Sequence, residues 1–123
     1  MVHPDTATSL CLTQCDAAGL SGIRQWLRGH LTSPEHALDA ELVATELISN
    51  AIDHGGGAHE VRIVVGPSDA VRVEVDDTAP AARLTVGRSR LGGARGNGLR
   101  IIDAMSSWGV RRTGTGKTVW AHL

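Results

Sequence analysis

Phenylalanine and tyrosine are absent from this sequence, and only Trp26, Trp108 and Trp120 represent the aromatic class. A nucleic-acid surface built on base stacking would have to use those three rings. Neither sign of charge dominates. The formal net charge is -1, so no strong field favours direct nucleic-acid binding or an anionic membrane. No apolar run approaches the roughly 18 residues of a transmembrane helix. The opening residues, Met1-Val2-His3-Pro4-Asp5, lack a basic stretch followed by an apolar one, so no signal peptide is expected and the cytoplasm is the default compartment. Cysteine is scarce as well. With Cys11 and Cys15 alone, a disulfide framework is excluded. On a strand the two thiols would share a face about 13 Å apart. No further soft ligands lie nearby for zinc, and both read as ordinary thiols.

What remains is enough chain for one compact domain. The 123 residues are 41% apolar and 20% charged, which can bury a core without staples. Residues 1–7 read as a loose tail and residues 8–123 as a single domain. Thr8 to Leu12 reads as a short strand. From Ala17 to Leu31 the apolar spacing is helical, with Ile23, Trp26 and Leu27 on one face. Ser33-Pro34 is a helix start, a hydroxyl cap followed by proline at the first helical position. That helix runs to His54, where Gly55-Gly56-Gly57 stops it. Val61 to Val65 and Val71 to Val75 alternate around Gly66-Pro67-Ser68-Asp69, the pattern of an antiparallel hairpin. Residues 77–95 carry no periodicity, and a connection that long in a small domain is usually functional or mobile. A helix over 97–106 and strands over 110–112 and 118–123 complete the order. The pattern predicts an α+β two-layer sandwich, a mixed, mostly antiparallel sheet with helices on one face.

Three segments carry candidate chemistry. On a helical wheel of residues 34–54, Leu38, Ala40, Ala44, Leu47, Ile48, Ala51 and Ile52 form a broad apolar arc. Asp39, Glu46, Asn50 and Asp53 form a narrow polar stripe facing away from it, flanked by Leu42 and Val43. A solvated helix face would explain the stripe. So would a site, since Glu46 and Asn50 are four apart and therefore neighbours. A carboxylate there could take a proton from an attacking hydroxyl, and an amide oxygen could ligate Mg²⁺. Asn50 is a poor helix former in mid-helix, which favours the second reading. Gly92-Gly93-Ala94-Arg95-Gly96-Asn97-Gly98-Leu99 leads into a helix. Such a stretch either connects flexibly or converges its N–H groups on an anion, with Arg95 adding a full charge. Gly114-Thr115-Gly116-Lys117-Thr118 imitates the end of a P-loop. The motif requires glycine where Arg111 stands and a helix after it, so it is rejected in favour of a turn into a terminal strand.

In this order the pieces resemble the GHKL superfamily of gyrase, Hsp90, histidine kinase and MutL type ATPases. The resemblance is closest to its small bacterial branch, the anti-sigma-factor serine kinases and their actinobacterial single-domain relatives. Glu46-Leu47-Ile48-Ser49-Asn50-Ala51-Ile52-Asp53-His54-Gly55 resembles the N box. Val73-Glu74-Val75-Asp76-Asp77-Thr78 resembles the strand ending in the adenine-binding aspartate. Gly96-Asn97-Gly98-Leu99 resembles the second glycine box, and Gly116-Lys117-Thr118-Val119-Trp120 the last strand. The resemblance implies a Bergerat-type ATP-binding fold with Mg-ATP as ligand. Glu46 would be the general base and Asn50 the Mg²⁺ ligand. Asp77 would accept from the adenine amine, with Asp76 as second choice and Thr118 as helper. Gly96, Asn97, Gly98 and Leu99, with Arg95, would hold the phosphates. It further implies an anti-sigma-factor-type serine/threonine kinase that phosphorylates a small antagonist and binds a sigma factor, and a homodimer. The family's D-x-G-x-G pattern is absent after Asp77, where the run is Thr78-Ala79-Pro80-Ala81. That departure keeps a second function open, a nucleotide-binding module that sequesters a partner without turnover.

Overall fold

The computed structural model describes residues 7–79 and 100–123. The expected tail before them, the aperiodic connection from residue 80 onward and the glycine stretch Gly92 to Leu99 lie outside the described residues.

The apolar alternation of Val71, Val73 and Val75 buries all three side chains completely, and that face organises the fold. Strand β3 (Val71–Asp77) pairs antiparallel with β2 (Ala58–Val65) in the register Val65↔Val71 and Val61↔Val75. The intervening turn places Ser68 and Asp69 at φ of 63° and 62°. Asp69 offsets this by reaching across to the chain between the two long helices. Its Oδ2 accepts from the N–H of Thr32 at 3.0 Å, the hydroxyl of Thr32 at 2.7 Å and the N–H of Ser33 at 3.1 Å. These bonds, the Thr32 hydroxyl first, hold its carboxyl below the ordinary aspartate value.

Three further strands complete the sheet: β1 (Thr8–Cys15), β4 (Ser107–Arg112) and β5 (Lys117–His122). The order is β1-β2-β3-β5-β4. Every described pairing is antiparallel, so the sheet is not mixed as the sequence suggested. Short turns close only β2–β3 and β4–β5, while β1–β2 and β3–β5 pair antiparallel across long connections.

Helices α1 (Ala17–His30) and α2 (Pro34–His54) cover one face. Asp16 caps α1 by accepting from Gly19, and Ser33 caps α2 by accepting from the N–H of His36, with Pro34 at the first position as expected. At the other end, the N–H groups of Gly55 and Gly57 both return to the carbonyl of Ala51, and Gly56 takes φ +79°. Residues 100–105 are helical and place Ile102 in the core. Ile23, Leu27, Val43, Leu47 and Ile48 fill the space between helices and sheet.

Two face assignments are corrected. Cys11 is exposed and Cys15 buried, although both lie on β1. Gln14 between them has φ 53°, which breaks the alternation that would have put them on one face. On α2, Leu38 is 57% and Ile52 43% exposed, while Val43, expected at the flank, is fully buried. The buried arc runs through Ala37, Ala40, Val43, Ala44, Leu47, Ile48 and Ala51. It is thus rotated toward the polar stripe. Glu46 and Asn50 are therefore half-buried beside the sheet contact rather than opposite it.

Candidate functional site

The end of β3 meets the end of α2, and only glycine permits the approach. A Cβ on Gly55 would lie 2.6 Å from the carboxyl carbon of Asp77. The Gly55 carbonyl accepts from both the N–H and the hydroxyl of Thr78, at 3.0 and 3.3 Å. On the far side, a Cβ on Gly116 would strike the backbone carbonyl of Asp77. Asp77 thus sits where α2, β3 and β5 converge, 5% exposed. It continues the buried side of Val71, Val73 and Val75.

Its partners were not anticipated. The ammonium of Lys117 donates to Asp77 Oδ1 at 2.8 Å, and the N–H of Ala79 donates to the same oxygen at 2.9 Å. Lys117 faces Asp77 across the β3–β5 ladder. Its side chain is 5% exposed and that of Asp77 3%, so the pair is buried. The available signal was the antiparallel register itself, which the resemblance to a P-loop obscured.

Thr118 is one residue further and therefore on the opposite face. Its hydroxyl donates to Asp76 Oδ1 at 2.6 Å. Asp76 also accepts from Arg62 at 2.8 and 2.9 Å. The structure thus separates Thr118 and Asp76 from Asp77, although the three are adjacent in strand register. On this outer face Arg62 joins Glu60, Glu74 and Asp76 in one network, and Arg72 lies over the Trp120 ring at 5.0 Å. The Arg62 bonds hold the Asp76 carboxyl below its ordinary value against the opposing effect of burial. Burial alone would push Glu74 up, but Arg62 and Arg72 outweigh it and bring it down.

Carboxyls lowered by folding contribute stability above their unfolded values, and that contribution disappears as pH falls through the lower folded values. The urea midpoint should therefore be level above about pH 5 and fall progressively below it. Arg62→Met should flatten that acid limb. An acid limb identical in both proteins would show the network to be energetically idle.

On α2, Asn50 and Glu46 precede Gly55 by about 7.5 and about 13.5 Å along the helix axis at 1.5 Å per residue. The Nδ2 atom of Asn50 is buried with no hydrogen-bond partner among the described residues. A buried polar atom left unsatisfied is costly and requires a reason. The two ends of an amide interchange on a flip, so the same position offers an oxygen to a hard cation. Mg²⁺ is held by few protein oxygens and completes its shell from phosphates and water, a requirement Asn50 fits. Among the described residues no group of three or more His, Cys, Asp or Glu could hold a metal. Arg95, Gly96, Asn97, Gly98 and Leu99 lie outside the described residues. A separate hollow of about 520 Å³ lies between α1 and the start of α2. It holds Leu31, Leu38 and the Arg28–Glu41 pair, in which Glu41 is matched bidentately at 2.9 and 3.0 Å.

No helix of the described residues is long and apolar enough to cross a membrane. Among curated proteins no sequence matches the chain. A family model described as the histidine kinase-like ATPase domain matches residues 13–123, which takes in the end of β1, the other four strands, both long helices and the site where α2 meets β3. The α+β architecture, with helices on one face of an antiparallel sheet, agrees with that match. The chain belongs to the family of histidine kinase-like ATPase domains, a membership consistent with ATP binding.

Proposed function

We propose that this protein binds Mg-ATP along α2 and acts as an anti-sigma-factor-type serine/threonine kinase. The observation that carries the reading is the unsatisfied Asn50 amide. It lies one turn from Glu46, on the helix whose end abuts the buried Asp77. Asp77, at the end of β3 against Gly55, would take the base, and Asn50 and then Glu46, further back along α2, would take the bridged phosphates and the transferred phosphoryl group. Bound Mg²⁺, with Asn50 as its protein ligand, would neutralise phosphate charge. Arg95 and the N–H groups of Gly96, Asn97, Gly98 and Leu99 would hold the phosphate oxygens.

The carboxylate of Glu46 would accept the proton of a serine or threonine hydroxyl as its oxygen attacks the γ-phosphorus. The bond from that phosphorus to the β,γ-bridging oxygen breaks and ADP leaves. Phosphoryl transfer asks mainly for positioning and charge neutralisation, so this small set of groups suffices. The acceptor is proposed to be a small cytoplasmic antagonist protein, with a sigma factor as binding partner and a homodimer as the working form. The resemblance of the N box and of the last strand supports these partners. The glycine-free run Thr78-Ala79-Pro80 after Asp77 favours a second reading, a module that binds nucleotide and sequesters its partner without turnover.

Calorimetric titration with Mg-ATP tests the common part. The wild type should bind, and Asp77→Asn and Asn50→Ala should each weaken binding by roughly tenfold or more, the worth of a charge-assisted bond. Absence of binding by the wild type would overturn both readings. Binding without transfer of label from ATP to any candidate antagonist would select the module.

A further inference from the structure

We infer that Lys117 is a positioning residue that sets the base preference of the site. It keeps Asp77 a pure hydrogen-bond acceptor, so that a purine with an amine at position 6 is taken and one with a carbonyl there is refused. The inference rests on the reading of Asp77 as the base contact and goes beyond it in assigning the preference to a second residue.

Lys117 is the single lysine among twelve cationic side chains, and the residue is 4% exposed. Lysine carries a strongly hydrated point charge, and burying it is unfavourable unless a partner compensates. The partner is Asp77 Oδ1 at 2.8 Å, with the carbonyl of Ala79 at 3.5 Å. Asp77 is hemmed in as well. Gly55 packs against its carboxyl group, Gly116 against its backbone, and the N–H of Ala79 donates to Oδ1. The carboxyl group therefore cannot swing toward water.

An ion-paired carboxylate only accepts hydrogen bonds, whereas a neutral acid also donates one. A buried carboxylate stripped of its countercharge is expensive and is relieved by taking up a proton. Removing the ammonium while keeping the side-chain volume should thus convert the Asp77 group into one that can donate to a carbonyl oxygen.

The test compares ATP with inosine triphosphate, whose base carries a carbonyl at position 6, by calorimetry on the full chain. The wild type should prefer ATP by roughly tenfold or more, as expected of a site built to bond one polar group. In Lys117→Met, ATP should weaken while inosine triphosphate binds more tightly than it does to the wild type, narrowing the ratio to about threefold. Lys117→Arg should restore the preference. A merely structural defect would weaken both nucleotides, so the gain for inosine triphosphate is the decisive sign. Should Lys117→Met fail to fold, the carboxyl-carbon NMR signal of Asp77 in the wild type decides, free and with ATP. A carboxylate in both states supports the inference, and a neutral acid in either overturns it. A wild type that binds neither nucleotide overturns the ATP reading and this inference together. A wild type that prefers ATP, with a folded Lys117→Met that keeps the preference, overturns this inference alone.

Discussion

Gly116→Ala should lower the unfolding free energy by about 3 kcal/mol, the upper range for forcing atoms into a packed site. The added Cβ would strike the carbonyl oxygen of Asp77 and lie 2.6 Å from the Cα of Thr78. Both are backbone atoms at or just past the end of β3, so no side-chain rotation relieves the clash. The ladder from Asp77↔Lys117 to Arg72↔His122 would have to part at its site end, and nucleotide binding should fall with it. Gly114, in the same turn, has nothing within 4 Å of an added Cβ. Gly114→Ala should therefore stay within about 0.5 kcal/mol of wild type. Urea unfolding of the pair is an internally controlled measurement. Equal midpoints would mean that β3 and β5 do not approach as closely as described.

The other large effect is on rate. Glu46→Ala should leave ATP affinity within a few fold and lower phosphoryl transfer by roughly 10²-fold or more, the usual contribution of a positioned general base. Single-turnover transfer of labelled phosphate to the protein acceptor, together with the binding constant, separates the two quantities. A full transfer rate in Glu46→Ala would return this half-buried carboxylate to a purely structural role on the flank of α2. A matching loss of affinity would assign it to nucleotide binding instead.

Most of the scaffold was legible in the chain because it is built from local signals. Ser33-Pro34 and the three glycines after His54 bracket α2 as expected, and the alternation over Val71 to Val75 belongs to a strand that buries its valines. Legibility failed where geometry is set by another element. The rotation of α2 that exposes Leu38 and Ile52 depends on how closely the helix lies against the sheet, and periodicity names a stripe without naming its neighbour. The φ of 53° at Gln14 reverses the face of β1 at a residue with no turn signature. The Asp77–Lys117 pair required the register between two strands separated by a long connection, and no short-range pattern specifies that. The alternation that puts Asp77 and Asp76 on opposite faces of β3 puts Lys117 and Thr118 on opposite faces of β5.

The contact that completes the site spans 40 positions in sequence, whereas the β2–β3 hairpin closes over a five-residue turn between Val65 and Val71. Bringing distant segments together costs more chain entropy, and non-local pairings tend to form slowly. Nucleotide competence should accordingly be among the last properties acquired during refolding, after the hairpin and α2 have already consolidated.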